Sequence, residues 1–119
     1  MARFLVVDDS AVMRKNIKNI LESAGHEVVA EAADGRDVLP AYVNSKPDVV
    51  TMDISMPVTD GIDALKLLVK NFPEAKVIMV SALGQKAQIL EAIKHGAKSY
   101  IIKPIETDKF IEIIRKIIQ

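Results

Sequence analysis

The chain has 119 residues, 50% of them hydrophobic and 27% charged, which suffices for one globular domain with its own core and leaves too little for a second. Sixteen Lys and Arg balance sixteen Asp and Glu, so the overall charge gives no reason to expect nucleic acid or an anionic membrane as a partner. Cysteine is absent, which excludes a disulfide framework and any thiolate metal site.

The apolar run Phe4 to Val7 reads as a first strand. It begins so early that no leader is expected, and no apolar run is long enough to span a bilayer, so the expected location is the cytoplasm. Met13, Ile17, Ile20, Leu21 and Ala24 then recur at helical spacing, behind a cap at Ser10 and ahead of a stop at Gly25. Val28 to Ala32 is a second strand. The segment 34–44 has helical character, yet Pro40 lies inside it, which predicts a kink or a late helix start.

Val49 to Met52 is a third strand, followed by a turn at Met56-Pro57 and Thr59-Asp60-Gly61. A helix with Leu65, Leu68, Val69 and Phe72 on one face comes next, and then a strand at Val77 to Val80. Ile89, Leu90 and Ile93 mark a fourth helix ending at Gly96, Ser99 to Ile102 a fifth strand, and Phe110, Ile113, Ile114 and Ile117 a last helix after Thr107. All five strand runs are short and nearly unalternated, as expected of strands covered on both faces. Strands that alternate with helices predict an α/β fold, an open, doubly wound parallel sheet in the usual order 2-1-3-4-5, as a single domain over residues 1–119.

Ligands of such sheets gather outside the carboxyl ends of the strands. There the first strand delivers Asp8 and Asp9, the third Asp53, the fourth Ser81 and the fifth Lys103. Each alone also reads as an ordinary cap or strand-exit residue, but the set has a chemistry of its own. Three carboxylates within reach of one another repel, and one takes up a proton unless a cation intervenes. Oxygen donors without His or Cys suit Mg²⁺, which keeps several waters and pairs with phosphate. Asp53, central among these groups, is the best-placed nucleophile for attack on phosphorus, with Lys103 and Ser81 to stabilise the transferring oxygens. Ser55 would lend the metal its backbone carbonyl.

Ser81 precedes the small, flexible segment Ala82-Leu83-Gly84, so a phosphoryl oxygen that drew in the hydroxyl would drag this loop. Tyr100, on the neighbouring strand, reads equally as a half-buried aromatic or as a ring that turns into the space the loop vacates. Ile111 and Ile118 lie outside the main stripe of the last helix. Either the end of the helix frays onto the core, or this pair, together with Lys86, Lys94, Lys98 and Tyr100, outlines a partner-docking face of mixed apolar and basic character. The charge is also uneven: residues 1–60 carry ten acids and six bases, and residues 61–119 six acids and ten bases.

Asp8-Asp9, Asp53, Ser81-Ala82, Lys103-Pro104 and the stretch from Asp53 to Gly61 resemble the receiver domain of bacterial two-component response regulators, over essentially the whole chain. Within that family the stretches 51–56 and 80–85 look most like stand-alone chemotaxis regulators. The resemblance implies a flavodoxin-like fold and phosphorylation of Asp53 by a histidine kinase. It also implies Mg²⁺ bound directly by Asp9, Asp53 and the Ser55 carbonyl and through water by Asp8. Ser81 and Tyr100 would be a switch pair, Lys103 would touch the phosphoryl group, and Ser55 and Leu83 would tune its lifetime, an apolar Leu83 by shielding the bond. The face of the fourth helix, fifth strand and fifth helix would dock on a flagellar motor switch protein. A phosphatase is a further expected partner, and a monomer the expected state. Ser81 stands where Thr is commoner, and Pro40 is unusual in the second helix.

Rival readings differ in what they require. A dinucleotide-binding domain needs a Gly-rich turn after the first strand, where this chain has Asp8-Asp9-Ser10, which repels a pyrophosphate. A haloacid-dehalogenase-like phosphatase wants an acid two residues after its nucleophile, where this chain has Ser55. A docking module that is never phosphorylated gives no motive for the intact acid, hydroxyl and lysine set. A phosphorelay intermediate and a receiver cut from a longer regulator share every residue of the site.

Overall fold

The computed structural model describes residues Met1–Gln119. Five parallel strands, β1 (Arg3–Val7), β2 (Glu27–Ala32), β3 (Val49–Asp53), β4 (Val77–Ser81) and β5 (Ser99–Ile102), form one sheet in the order β2-β1-β3-β4-β5. They alternate with α1 (Ala11–Ser23), α2 (Val38–Ser45), α3 (Gly61–Asn71), α4 (Lys86–Lys94) and α5 (Thr107–Ile118). The expected fold class and strand order are both found.

The unalternated strands have a simple cause. Leu5, Val7, Val50, Met52, Val77 and Met79 pack on one side of the sheet with Leu65, Leu68, Ile89 and Ala92. Phe4, Val6, Val49, Ile78 and Val80 pack on the other with Ile17, Leu21, Phe110 and Ile114. Successive side chains of one strand thus serve two cores, and both must be apolar.

β5 departs from this rule. It is an edge strand that buries Ile101, while Tyr100 and Ile102 on its other face are 43% and 38% exposed. α4 departs as well: Ile89 and Ala92 face the core, whereas Leu90 and Ile93, expected to share the buried face, are 62% and 41% exposed. Ile89 and Ala92 lie three apart and hold the sheet-facing stripe, so Leu90, one position on, is turned out of it.

Helix starts follow the side-chain chemistry. The Ser10 hydroxyl accepts from the Met13 N–H at 3.2 Å, and Gly25, with φ +88°, takes the left-handed conformation that ends α1. α2 begins late. A short 3₁₀ turn at Gly35–Asp37 precedes it, so Pro40 is the third residue of the helix, where its missing N–H has no intrahelical partner to lose.

Candidate functional site

Strand parity sorts the carboxyl edge. Counting by twos from the side chains that face α1 and α5, Asp8 follows Phe4 and Val6, Asp53 follows Val49 and Thr51, and Lys103 follows Ile101. These three groups therefore leave the sheet on one side. Ser81 and Tyr100 leave on the other, two positions apart on neighbouring strands, because the register pairs Met79 with Tyr100 and Ser81 with Ile102.

The acids meet. Carboxylate oxygens of Asp8, Asp9 and Asp53 lie within 4.8 Å of one another, with Asp8 and Asp53 buried and Asp9 exposed. The Lys103 ammonium is 3.4 Å from Asp8 Oδ2 and 3.6 Å from Asp53 Oδ1, and its own backbone N–H donates to the Ser81 carbonyl at 2.7 Å. The Lys103–Pro104 peptide is cis. Asp8 is held by three further contacts. Its N–H donates to the Ala32 carbonyl, its Oδ1 accepts from the Ser10 N–H at 2.9 Å, and its carbonyl accepts from the Arg14 guanidinium at 2.7 Å. Arg14 is anchored in turn by Glu31 at 2.9 Å.

The electrostatics are unbalanced. Burial first, then the Asp8 carboxylate, push the Asp53 carboxyl up to about 6, with a smaller push from Asp9, while Lys103 and the Ser55 backbone N–H pull it down. One ammonium shared by two buried carboxylates does not neutralise them. Asp8 Oδ2, though ion-paired, makes no hydrogen bond, and the Ser81 hydroxyl is fully buried with no partner at all. Orphaned oxygens at a three-carboxylate cluster without His or Cys fit a hard divalent cation and an oxygen-rich anion beside it. Beside Asp9 lies an open cavity of about 420 Å³, lined also by Ser55, Met56, Asp60, Gln85 and Gln88.

Three residues of this edge have roles that the sequence did not show, although Gly61 was read there as part of the turn after the third strand. Gly61 starts α3 directly beneath Asp53, and a Cβ there would run into the Asp53 carbonyl oxygen. Its backbone N–H donates to the Ile54 carbonyl at 2.8 Å, and Asp60 caps the helix by accepting from the Asp63 N–H at 2.9 Å. Arg14 and Gln85 are the other two. A glycine at a turn beside a candidate nucleophile was a signal; for Arg14 and Gln85 the sequence held none, since Glu31 reaches Arg14 from β2 and Ser55 reaches Gln85 from the loop after β3 only once the chain is folded.

The expected docking residues separate into three places. Tyr100, Lys86, Leu90, Ile93 and Ile102 line a groove of about 270 Å³ between α4 and β5, and Lys94 is exposed on the same helix. Ile111 is not part of it. It lines another groove with Met1, Ala24, His26 and Ile118, because its position on α5 turns it toward the turn between α1 and β2, and Lys109 and Ile113 are the α5 residues that share a groove with Tyr100. Lys98 sits with Lys76 and Lys116 at the amino ends of β4 and β5, since it precedes the strand. Leu83 is 78% exposed and does not line the cavity beside Asp9, so in this arrangement it is not placed as a shield.

The family model described as "response regulator receiver domain" matches residues 4–115. The chain is 49% identical to the chemotaxis protein CheY of Thermotoga maritima over 115 residues, covering 97% of this chain and 96% of that one. It is 48% identical to the CheY of Bacillus subtilis over 114 residues, covering 96% and 95%. Among solved structures, a chain in the CheX-CheY-BeF3-Mg²⁺ complex from Borrelia burgdorferi superposes with a TM-score of 0.93 at 34% identity, covering 98% of this chain and 89% of that one.

Proposed function

The chain belongs to the response regulator receiver domain family, as a CheY-like phosphorylatable receiver of the chemotaxis type, and from that premise we propose that Asp53 is the residue that takes the phosphoryl group from a histidine kinase. The observation that carries this is the position of Asp53: last residue of the central strand, 4% exposed, with two carboxylates and one ammonium around it.

A carboxylate oxygen of Asp53 attacks phosphorus, a new P–O bond forms, and the P–N bond of the donor phosphohistidine breaks as its imidazole leaves and takes up a proton. From acetyl phosphate the same attack breaks a P–O bond and releases acetate. Hydrolysis of the acyl phosphate by water later returns the carboxylate and inorganic phosphate.

Asp8, Asp9, Asp53 and the Ser55 carbonyl would hold Mg²⁺, which supplies charge neutralisation at the transferring oxygens. Three carboxylate charges against Mg²⁺ and Lys103 leave the occupied site neutral, able to take on the extra charge of a phosphoryl group. Lys103, already 3.6 Å from Asp53, stays on that charge as it arrives. Ser81 gives its unpartnered hydroxyl to a phosphoryl oxygen, and the loop after it follows.

The output surface in this reading is the groove between α4 and β5 with its neighbour on α5. Its apolar residues Leu90, Ile93, Tyr100 and Ile102 are exposed beside Lys86. Tyr100 stands outward in the resting protein, and an inward turn on phosphorylation would reshape the patch. The protein docked there is a flagellar motor switch protein, with a phosphatase as a further partner. No helix is long and apolar enough to cross a membrane, in keeping with a protein that works in the cytoplasm.

Intact mass after incubation with Mg²⁺ and acetyl phosphate tests the assignment. One labile phosphoryl adduct is expected in the parent and none in Asp53→Asn or in the presence of a chelator. A full-yield adduct on Asp53→Asn would overturn it.

A further inference from the structure

Gln85 lies at the start of α4, in the position where a side chain usually caps the helix, but it makes no capping hydrogen bond. Its carboxamide reaches back across the site instead. Oε1 accepts from the Ala82 N–H at 2.7 Å, and Nε2 donates to the Ser55 hydroxyl oxygen at 2.7 Å. The two contacts fix the orientation of the amide, because the backbone N–H of Ala82 needs an acceptor and only the oxygen end supplies one. One side chain thus joins the loop that follows Ser81, the last residue of β4, to the loop that follows Asp53, the last residue of β3.

We infer that Gln85 is a positioning residue that latches these two loops together in the resting protein and resists the movement of Ser81 toward a phosphoryl group. This rests on the assignment of Asp53 as phosphoryl acceptor. Ser81 Oγ is buried with no partner, so an oxygen arriving on Asp53 offers it its first hydrogen bond. Ala82 is the next residue, and its N–H is the group that Gln85 holds. Gly84, in the left-handed region at φ +87° with nothing within 4 Å of a Cβ built on it, leaves the rest of the loop free to move. The latch is then what opposes that freedom, and Gln85 acts on the reaction through Ala82 and Ser55 without touching the reacting atoms.

The experiment has two arms on the full chain. Without Mg²⁺ or phosphoryl donor, hydrogen exchange at the Ala82 amide, read by NMR, is expected to quicken about fivefold in Gln85→Ala, the loss of one ordinary hydrogen bond. Gln85→Glu keeps an acceptor for Ala82 and retains protection, which a general loosening of the fold would not reproduce. With Mg²⁺ and acetyl phosphate, the initial rate of phosphoryl uptake is expected to rise about fivefold in Gln85→Ala. Ser55→Ala moves it in the same direction, and the double variant rises no further than Gln85→Ala, because both changes break one tie. Unchanged Ala82 exchange in Gln85→Ala, unchanged uptake, or additive effects of the two substitutions would each overturn the latch. A parent that takes up no phosphoryl group defeats the Asp53 assignment instead, while the exchange arm still judges the latch.

Discussion

At the amino edge of the sheet the Arg3 N–H donates to Asp48 Oδ2 at 2.8 Å, the Arg3 guanidinium to the Ser45 carbonyl at 2.6 Å, and the Ala2 N–H to His26 Nδ1 at 3.0 Å. At the carboxyl edge of the same strands Asp8 Oδ2 and Ser81 Oγ are buried without a hydrogen-bond partner, and Asp53 is pushed up to about 6. Both edges are laid on the same two apolar cores, so the difference is not one of packing. The amino edge is satisfied within the protein itself. The carboxyl edge is left for something else to satisfy, and it is less stable for as long as nothing does.

The largest expected effect tests the unmet charge. The folded protein holds the Asp53 proton to about 6, whereas the unfolded chain releases it near 3.8. Stability of the metal-free protein is therefore full below pH 3.8 as far as this group is concerned, and is lost as pH rises through about 6. Asp53→Asn removes that loss. At pH 7.5 without metal the variant should be more stable in urea by about 3 kcal/mol, with its stability flat between pH 4 and 6 as far as this position is concerned. Equal stability of parent and variant would place the charge cost elsewhere.

Next in size is Gly61→Ala, whose new Cβ meets the Asp53 carbonyl and forces the β3–α3 loop to shift. It should cost about 2 kcal/mol in urea and lower phosphoryl uptake as well. At the amino edge Asp48→Ala removes the acceptor of the Arg3 N–H and should cost about 1 kcal/mol with uptake unchanged, which separates the edges directly. The smallest effect is again one of pH. His26 is held below its ordinary value, by burial and then by the N-terminal ammonium. Its contribution is present above pH 6.5 and lost as pH falls through the folded value, the opposite sign to Asp53. His26→Gln should flatten the acid side of the urea-stability profile and leave the window set by Asp53 in place.

The sequence made the strands and the residues that end them easier to read than the surfaces and contacts between elements. Val- and Ile-rich runs located all five strands, because residues that serve two cores must be apolar in succession. The acids, Ser81 and Lys103 were legible because each ends such a run. Pro40 announced a kink or a late helix start, and the 3₁₀ turn before α2 shows that the chain takes the late start. The exposure of Leu90 and Ile93 was hidden, since apolar spacing says which residues share a face and not whether that face meets a sheet or a groove. Ile111 and Lys98 were placed with Tyr100 for the same reason: grouping by chemistry ignores the angle of α5 and the end of the strand at which a residue sits. Gln85 was beyond reach, because its partners lie on two loops whose approach only the folded sheet decides.

The central claim is that the carboxyl edge withholds stability until a divalent cation completes it. Urea unfolding of the parent with and without Mg²⁺, at pH 7.5 and at pH 5, tests it most directly. The predicted result is a rise in the unfolding midpoint with Mg²⁺ that is large at pH 7.5 and smaller at pH 5, where Asp53 is mostly protonated, and that shrinks in Asp53→Asn. A midpoint that Mg²⁺ leaves unmoved at both pH values would contradict it.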